Sequence, residues 1–479
     1  MTNRENERAR FAAIVLAAGQ GTRMKSERPK VLHEIAGRPM LAFPIEAALQ
    51  AGAAQVVVVV GHGREEVEAS IRARFDDRVT TALQREQRGT GHAARCALPA
   101  LEGFDGELVI LCGDVPLLEP EAIDALRAAR AGAPLALLTC RAPNPTGYGR
   151  ILRDPSGAVI GIREHRDASE EERAIDEINA GVYVAEASFL RDALESLRAD
   201  NAQGELYLTD VVEAAAALGG ATSVSWSLES VGGVNDRAQL AEAAAILRRR
   251  IAARHARAGV TVRDLDRADI DADVTIEPDA TIEPGVTLRG KTHVGRGARI
   301  DVGSVLTDVV VEPGAYLKPY TVASESHIGE AAQIGPFAHL RPGSELGPEV
   351  HVGNFVETKK TSMARGSKAN HLAYLGDGVI EEGVNVGAGT IFCNYDGFQK
   401  HTTVLEAGCF IGSDSQLVAP VRVGKNAYVA TGTTVTLDVP ADALAVGRTR
   451  QENKVGYAAR LRGKLKASAE AAKASKAKP

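Results

Sequence analysis

A glycine-rich run, Leu16-Ala17-Ala18-Gly19-Gln20-Gly21-Thr22-Arg23, with Lys30 close behind, has the residue types needed to hold a phosphate. Gly19 and Gly21 sit where a strand turns toward a helix, so backbone N–H groups can approach an anion. Thr22, Arg23 and Lys30 add a hydroxyl and two cations beside that backbone. The run is not a dinucleotide fingerprint: a third glycine is missing, and the second strand ends in Gly61-His62 rather than an acid. It is not a Walker loop, because no GK[ST] follows. A second element is Cys112-Gly113-Asp114, closing the apolar run LVILC. A carboxylate at a strand's carboxyl end can hold Mg²⁺ on a nucleotide, since Mg²⁺ takes one or two carboxylates plus substrate phosphates. Taken alone, Asp114 fits a helix cap or a turn equally well. A third is His371, in a polar stretch at 358–378. An imidazole can serve as a general base near neutral pH. Ser413 and Asn394, further along, are polar groups able to donate to a developing negative charge. Most of the 11 histidines have surface or packing roles to fill; His371 stands out because it lies where a repeat pattern breaks.

That repeat defines the C-terminal half. Aliphatic residues recur every six positions at Ile276, Ile282, Leu288, Val294, Ile300; at Val322, Ile328, Ile334, Leu340, Leu346, Val352; and at Leu405, Ile411, Leu417, Val423, Val429, Val435. Neither a helix nor an ordinary strand asks for this period. A parallel β-helix does, with one inward aliphatic per hexad and about ten coils over the domain. Glycine often follows the inward residue, as at Gly329, Gly335, Gly353, Gly412 and Gly424, where a corner needs tight or positive-φ backbone. The ladder is expected to stop near Val352 and resume around Ile380 and Val386, which puts His371 in an interrupting loop. A second break surrounds NYDGFQK at 394–400.

The N-terminal half alternates apolar runs at 11–16, 56–60, 108–112 and 134–140 with amphipathic segments such as 119–131. This predicts an α/β domain, Rossmann-like with a mostly parallel sheet, and a ligand site beyond the strands' carboxyl ends. An Ala/Arg/Leu-rich helix from Asp236 to about Ala258, stopped by Gly259, should join the halves. The expected divisions are 1–235 for the α/β domain, 236–259 for the helix, 260–455 for the β-helix and 456–479 for a disordered Lys/Ala-rich tail.

The totals agree with a soluble two-domain protein: 479 residues, 44% hydrophobic, 25% charged. A net charge of −6 argues against nucleic-acid binding as the main role. The five cysteines are scattered without CxxC pairing, which suits reduced thiols in the cytoplasm. The polar N-terminus does not read as a signal peptide, and no apolar run approaches a membrane span.

LAAGQGTRM with Pro29-Lys30, then QREQRGTGHA, CGDVP, PTGYGRI, Glu164-His165, EINAG and GVNDR occur in this order. Together they resemble the sugar-nucleotide pyrophosphorylases. With the hexads, they resemble the bacterial bifunctional N-acetylglucosamine-1-phosphate uridylyltransferases/glucosamine-1-phosphate N-acetyltransferases, over roughly residues 11–455. The resemblance implies that the hexads form a left-handed β-helix. It implies that Leu16, Ala17, Ala18 and Gly19, with Gln84, Gly89 and Thr90, hold UTP. Arg23 and Lys30 would neutralise the triphosphate as catalytic cations. Asp114 and Asn235 would bind Mg²⁺, and Gly149, Glu164 and Asn179 the N-acetylglucosamine. In the second domain His371 would be the base. Arg341, Lys359, Tyr374 and Asn385 would hold the sugar phosphate, with Glu357 orienting its neighbours. Ala388, Asn394, Tyr395, Ser413, Thr431 and Arg448 would line the acetyl-CoA site. Three positions depart from the family: Cys112 where some relatives have Tyr, Gln20 where many have Lys, and Thr431 where the family has Ala.

The resemblance further implies acetylation of glucosamine 1-phosphate, then uridylylation of N-acetylglucosamine 1-phosphate, in a cytoplasmic homotrimer without nucleic-acid or membrane partners. The competing expectation is a single-function nucleotidyltransferase carrying a structural or regulatory β-helix.

Overall fold

A computed structural model describes residues 10–476. The polar stretch before Arg10 and the last three residues lie outside it. The chain divides into two compact units, Met1–Thr292 and His293–Pro479. No helix among the described residues is long and apolar enough to cross a membrane.

The first unit is built on a nine-stranded sheet. Phe11–Leu16 pairs in parallel with Val56–Val60 on one side and Glu107–Cys112 on the other. Val79–Leu83 extends the parallel half. Beyond Glu107–Cys112 the sheet turns antiparallel, through the long strand Glu177–Glu186. Both faces are covered, which is why these strands read as continuous apolar runs. Phe11, Ala13 and Val15 enter one core, Ala12 and Ile14 the other. The strand ends at Leu16 and Cys112 lie side by side, so the glycine run and Asp114 emerge together. The glycine run does not enter an α-helix as expected. It passes into a single 3-10 turn, Thr22–Met24, because Gly21 and Lys25 on either side are left-handed. A turn this short supplies no helix dipole, so anion binding there rests on local N–H groups and side-chain cations.

The long helix spans Arg237–Arg257, capped by the Asp236 carboxylate, which accepts from Gln239 N at 2.9 Å. The compact unit runs beyond this helix, past the division placed at 259. Thr261–Val262 and Asp269–Ile270 pack on the helix. Ala272 N donates to Ala36 O at 3.0 Å, and Asp273 binds both Arg38 and Arg74. These ties bring the first hexads into the first unit.

The second unit is a stack of short parallel strands on three faces, the arrangement expected of a left-handed β-helix. One register column runs unbroken through Val305, Val322, His339, Glu357, Tyr374, Ile391, Gln416 and Thr434. The interruption expected between Val352 and Ile380 is therefore absent. The coils continue, but Thr358, Met363, Ala369 and Leu375 fill the inward positions, so the aliphatic period fades while the backbone does not. The break at 394–400 is real: Tyr395 bridges Lys400, and Phe398 projects from it 94% exposed.

The glycines after inward residues serve close approach more than φ. A Cβ at Gly353 would lie 1.9 Å from Asn370 O, and one at Gly412 2.5 Å from Thr431 N. Left-handed corners fall instead on Tyr320, Phe337, Phe355 and Leu372. The tail, expected to be disordered, is helical over Tyr457–Lys476. Its Ala, Leu, Lys and Arg content favours helix.

Candidate active sites

In the first unit, a cavity of about 410 Å³ opens beyond Leu16 and Cys112. Leu16, Ala17, Ala18, Gly19, Arg23, Lys30, Gln84, Gly89, Thr90, Asp114 and Asn235 all line it. The polar groups converge. Lys30 Nζ donates to Asp114 Oδ2 at 2.6 Å and to Asn235 Oδ1 at 2.8 Å. Arg23 Nη2 donates to the same Asn235 oxygen at 2.8 Å. Two protein oxygens, one just past the strand Glu107–Cys112 and one in the loop before the helix Arg237–Arg257, thus meet on one cationic atom. That convergence fits a divalent cation held by one carboxylate, one amide and substrate phosphates.

Gly89 shapes the opposite wall. Its φ is +100°, and a Cβ would lie 2.5 Å from Leu206 O. Gln84 Nε2 donates to Gly89 O at 3.1 Å and also contacts His92 Nδ1 at 3.1 Å. His92 therefore braces Gln84. Gly149, Glu164 and Asn179 form a second cluster, outside the lining of that cavity. A Cβ on Gly149 would sit 3.5 Å from Glu164 Oε1 and 3.7 Å from Asn179 Cβ. Thr209 Oγ1 donates to Glu164 at 3.2 Å, yet burial raises the Glu164 pKa above the ordinary value. Asn179 Nδ2 donates to Tyr183 Oη at 2.6 Å. Cys112 lies beside Gly181 O, at 3.5 Å, between the two clusters. Burial, then the Asp114 charge, pushes its thiol up to about 12, so it is no nucleophile.

Residue reasoning missed Gln87 and Glu205. Gln87 Nε2 donates to Ala18 O at 2.8 Å and fixes the glycine run. It stood in a quoted motif, QREQRG, but nothing in its type singled it out. Glu205 arrives on a segment whose Leu206 bonds Arg88 O and Gly91 N, a long-range contact without local signature.

In the second unit, His371 ends the strand Lys368–His371. It stands in a column at one corner: Leu372 N bonds Asn354 O, Gly389 N bonds His371 O, Asp414 N bonds Ala388 O, and Gly432 N bonds Ser413 O. His371, Ala388, Ser413 and Thr431 thus occupy equivalent places in successive coils. Arg448 Nη1 donates to Thr431 O at the end of the row. The next face carries Arg341, Glu357, Lys359 and Tyr374. Arg341 Nη1 donates to Glu357 Oε1 at 2.7 Å, and Glu357 stands in register with Tyr374. Thr358 and Leu375 between them point inward, which turns Glu357, Lys359 and Tyr374 outward. Asn394 and Tyr374 meet over Gly376, where a Cβ would be 2.6 Å and 2.5 Å from their polar atoms. Tyr395 is 58% exposed on the break. Asn385 lies a step from the corner column, in register with Lys368 and Phe410.

A mixed α/β sheet with a cation-lined cavity beyond its strand ends, followed by stacked hexapeptide coils, has the make-up of a nucleotidyltransferase joined to a hexapeptide-repeat transferase. Residues 13–204 match the MobA-like NTP transferase domain, and residues 325–360 the bacterial transferase hexapeptide. The chain is 64% identical to the bifunctional protein GlmU of Sorangium cellulosum, over 96% of this chain and 98% of that one. It is 52% identical to GlmU of an Anaeromyxobacter species, over 97% and 96%. It is 51% identical to GlmU of Trichlorobacter lovleyi, over 94% and 98%. The chain belongs to the bifunctional GlmU family.

Proposed function

We propose that the chain makes UDP-N-acetylglucosamine from glucosamine 1-phosphate in two steps, acetylation first. The observation that carries this reading is the corner column from His371 to Thr431, a continuous track from a base to the expected acetyl-CoA residues.

In the first step His371 takes a proton from the sugar amine as its nitrogen attacks the thioester carbonyl. The C–N bond forms, the C–S bond breaks, and the proton passes to the leaving thiolate. Arg341 and Lys359 hold the sugar phosphate, with Tyr374 and Asn385 beside it. Asn394 and Ser413 face the oxyanion and the acetyl donor.

In the second step a phosphate oxygen of N-acetylglucosamine 1-phosphate attacks the α-phosphorus of UTP, and the bond to pyrophosphate breaks. The nucleophile is already ionised at neutral pH, so no general base is needed. Lys30 and Arg23 offset the charge of two polyanions brought together. Asp114 and Asn235 would hold Mg²⁺, which supplies further charge neutralisation when bound. Gly149, Glu164 and Asn179 orient the sugar.

The reading makes the protein a cytoplasmic homotrimer. The exposed position of the base, Arg448 and Tyr395 favours a site finished by a neighbouring copy. The test is to assay the half-reactions separately, by CoA thiol release and by pyrophosphate release, and to weigh the particle by light scattering. The single-function alternative gives pyrophosphate release and no thiol.

A further inference from the structure

We infer that Asn354 is a positioning residue for acetyl transfer, fixing the tautomer and aim of His371. This rests on the reading of His371 as the base.

His371 Nδ1 lies 2.9 Å from Asn354 Oδ1. The two residues are in register on neighbouring strands, His351–Asn354 and Lys368–His371. Each is followed by a left-handed corner residue, Phe355 at φ 56° and Leu372 at φ 48°. Leu372 N also donates to Asn354 O at 3.1 Å, which ties the corner of one coil to the next. The backbone of both residues is thus held, and the side-chain contact joins two fixed points.

An imidazole acts as a base only through a nitrogen that carries no proton. With the amide oxygen facing Nδ1, that nitrogen must carry the hydrogen and donate it. The lone pair is then on Nε2, at the far side of the ring. The wrong tautomer would present N–H to the amine and accept nothing. A partner that holds a catalytic imidazole in its productive tautomer and orientation is read in kcat rather than in binding.

The test is steady-state acetyl transfer by full-length Asn354→Ala and Asn354→Asp, each also in the His371→Ala background. Asn354→Ala should lower kcat by about tenfold or more, with both KM values and uridylyl transfer unchanged. Asn354→Asp keeps an acceptor oxygen and should recover most of that loss. In the His371→Ala background, Asn354→Ala should cost nothing further, because an orienting group without its base has nothing to orient. Should Asn354→Ala fail to fold, Asn354→Leu keeps the volume and removes the acceptor. If His371→Ala is inactive while the Asn354 variants are normal, or lose the same factor with and without His371, the inference is overturned and the base stands. If His371→Ala acetylates at full rate, the base reading itself falls, and this inference with it.

Discussion

The Lys30 ammonium lies 2.6 Å from the Asp114 carboxylate, with the Asn235 amide oxygen closing the triangle. A lysine thus stands where two oxygens could share a divalent cation. The pair is largely shielded, with side-chain exposures of 12% and 27%. Removing either partner leaves the other uncompensated in a cleft that must gather further charge.

Asp114→Ala should abolish uridylyl transfer, a fall of at least about 10²-fold, and leave acetyl transfer nearly intact. On the proposed reading the two activities draw on residues of different units. Assays of the separate half-reactions at saturating Mg²⁺ check this. Near-normal pyrophosphate release in the variant would remove Asp114 from the metal role.

Lys30→Met should leave Asp114 without its cation. Melting temperature should fall without added metal and recover as Mg²⁺ is titrated in, with a larger recovery than wild type shows. Equal Mg²⁺ responses in the two proteins would mean that Lys30 and the metal do not share these oxygens.

Asp210 opens the helix Asp210–Leu218, and burial, then the Glu213 charge, raises its carboxyl to about 6. The folded state therefore holds this proton at pH values where the unfolded chain has lost it. Stability from this group is present below the unfolded carboxylate range and lost as pH rises through about 6. Asp210→Asn should match wild type in melting temperature near pH 4 and exceed it above about pH 6. A difference that is constant across this range would contradict the assignment.

Asp273 binds Arg38 and Arg74 from the far end of the first unit's sequence. A fragment ending near Arg254 loses that clamp and the strands packed on the long helix. We expect it to be less stable than one ending at Thr292, and Asp273→Ala to cost the intact chain about 1–2 kcal/mol. Urea melts of the two fragments and the variant decide it. Equal midpoints would show that the helix end is the true boundary.

Much of this was legible in residues. The strands at 11–16 and 56–60 matched their apolar runs because both sheet faces are buried. The hexads disclosed the β-helix because each coil repeats one inward position. Legibility failed where that position changed type: Thr358 and Ala369 are buried as fully as any Ile, so the coils around His371 looked like a loop. It failed again at Gly353, whose requirement comes from the next coil's backbone rather than from its own φ. In the cavity, single motifs supplied the glycine run and Asp114. The contact between Lys30 and Asn235 spans the whole first domain and has no local trace; only the order of several motifs pointed to it.

The most direct measurement is time-resolved mass spectrometry of the full-length protein with glucosamine 1-phosphate, acetyl-CoA, UTP and Mg²⁺. N-acetylglucosamine 1-phosphate should appear first and UDP-N-acetylglucosamine after it, with no nucleotide sugar formed when acetyl-CoA is left out. Formation of a UDP-amino sugar without acetyl-CoA, or failure to acetylate at all, would contradict the account.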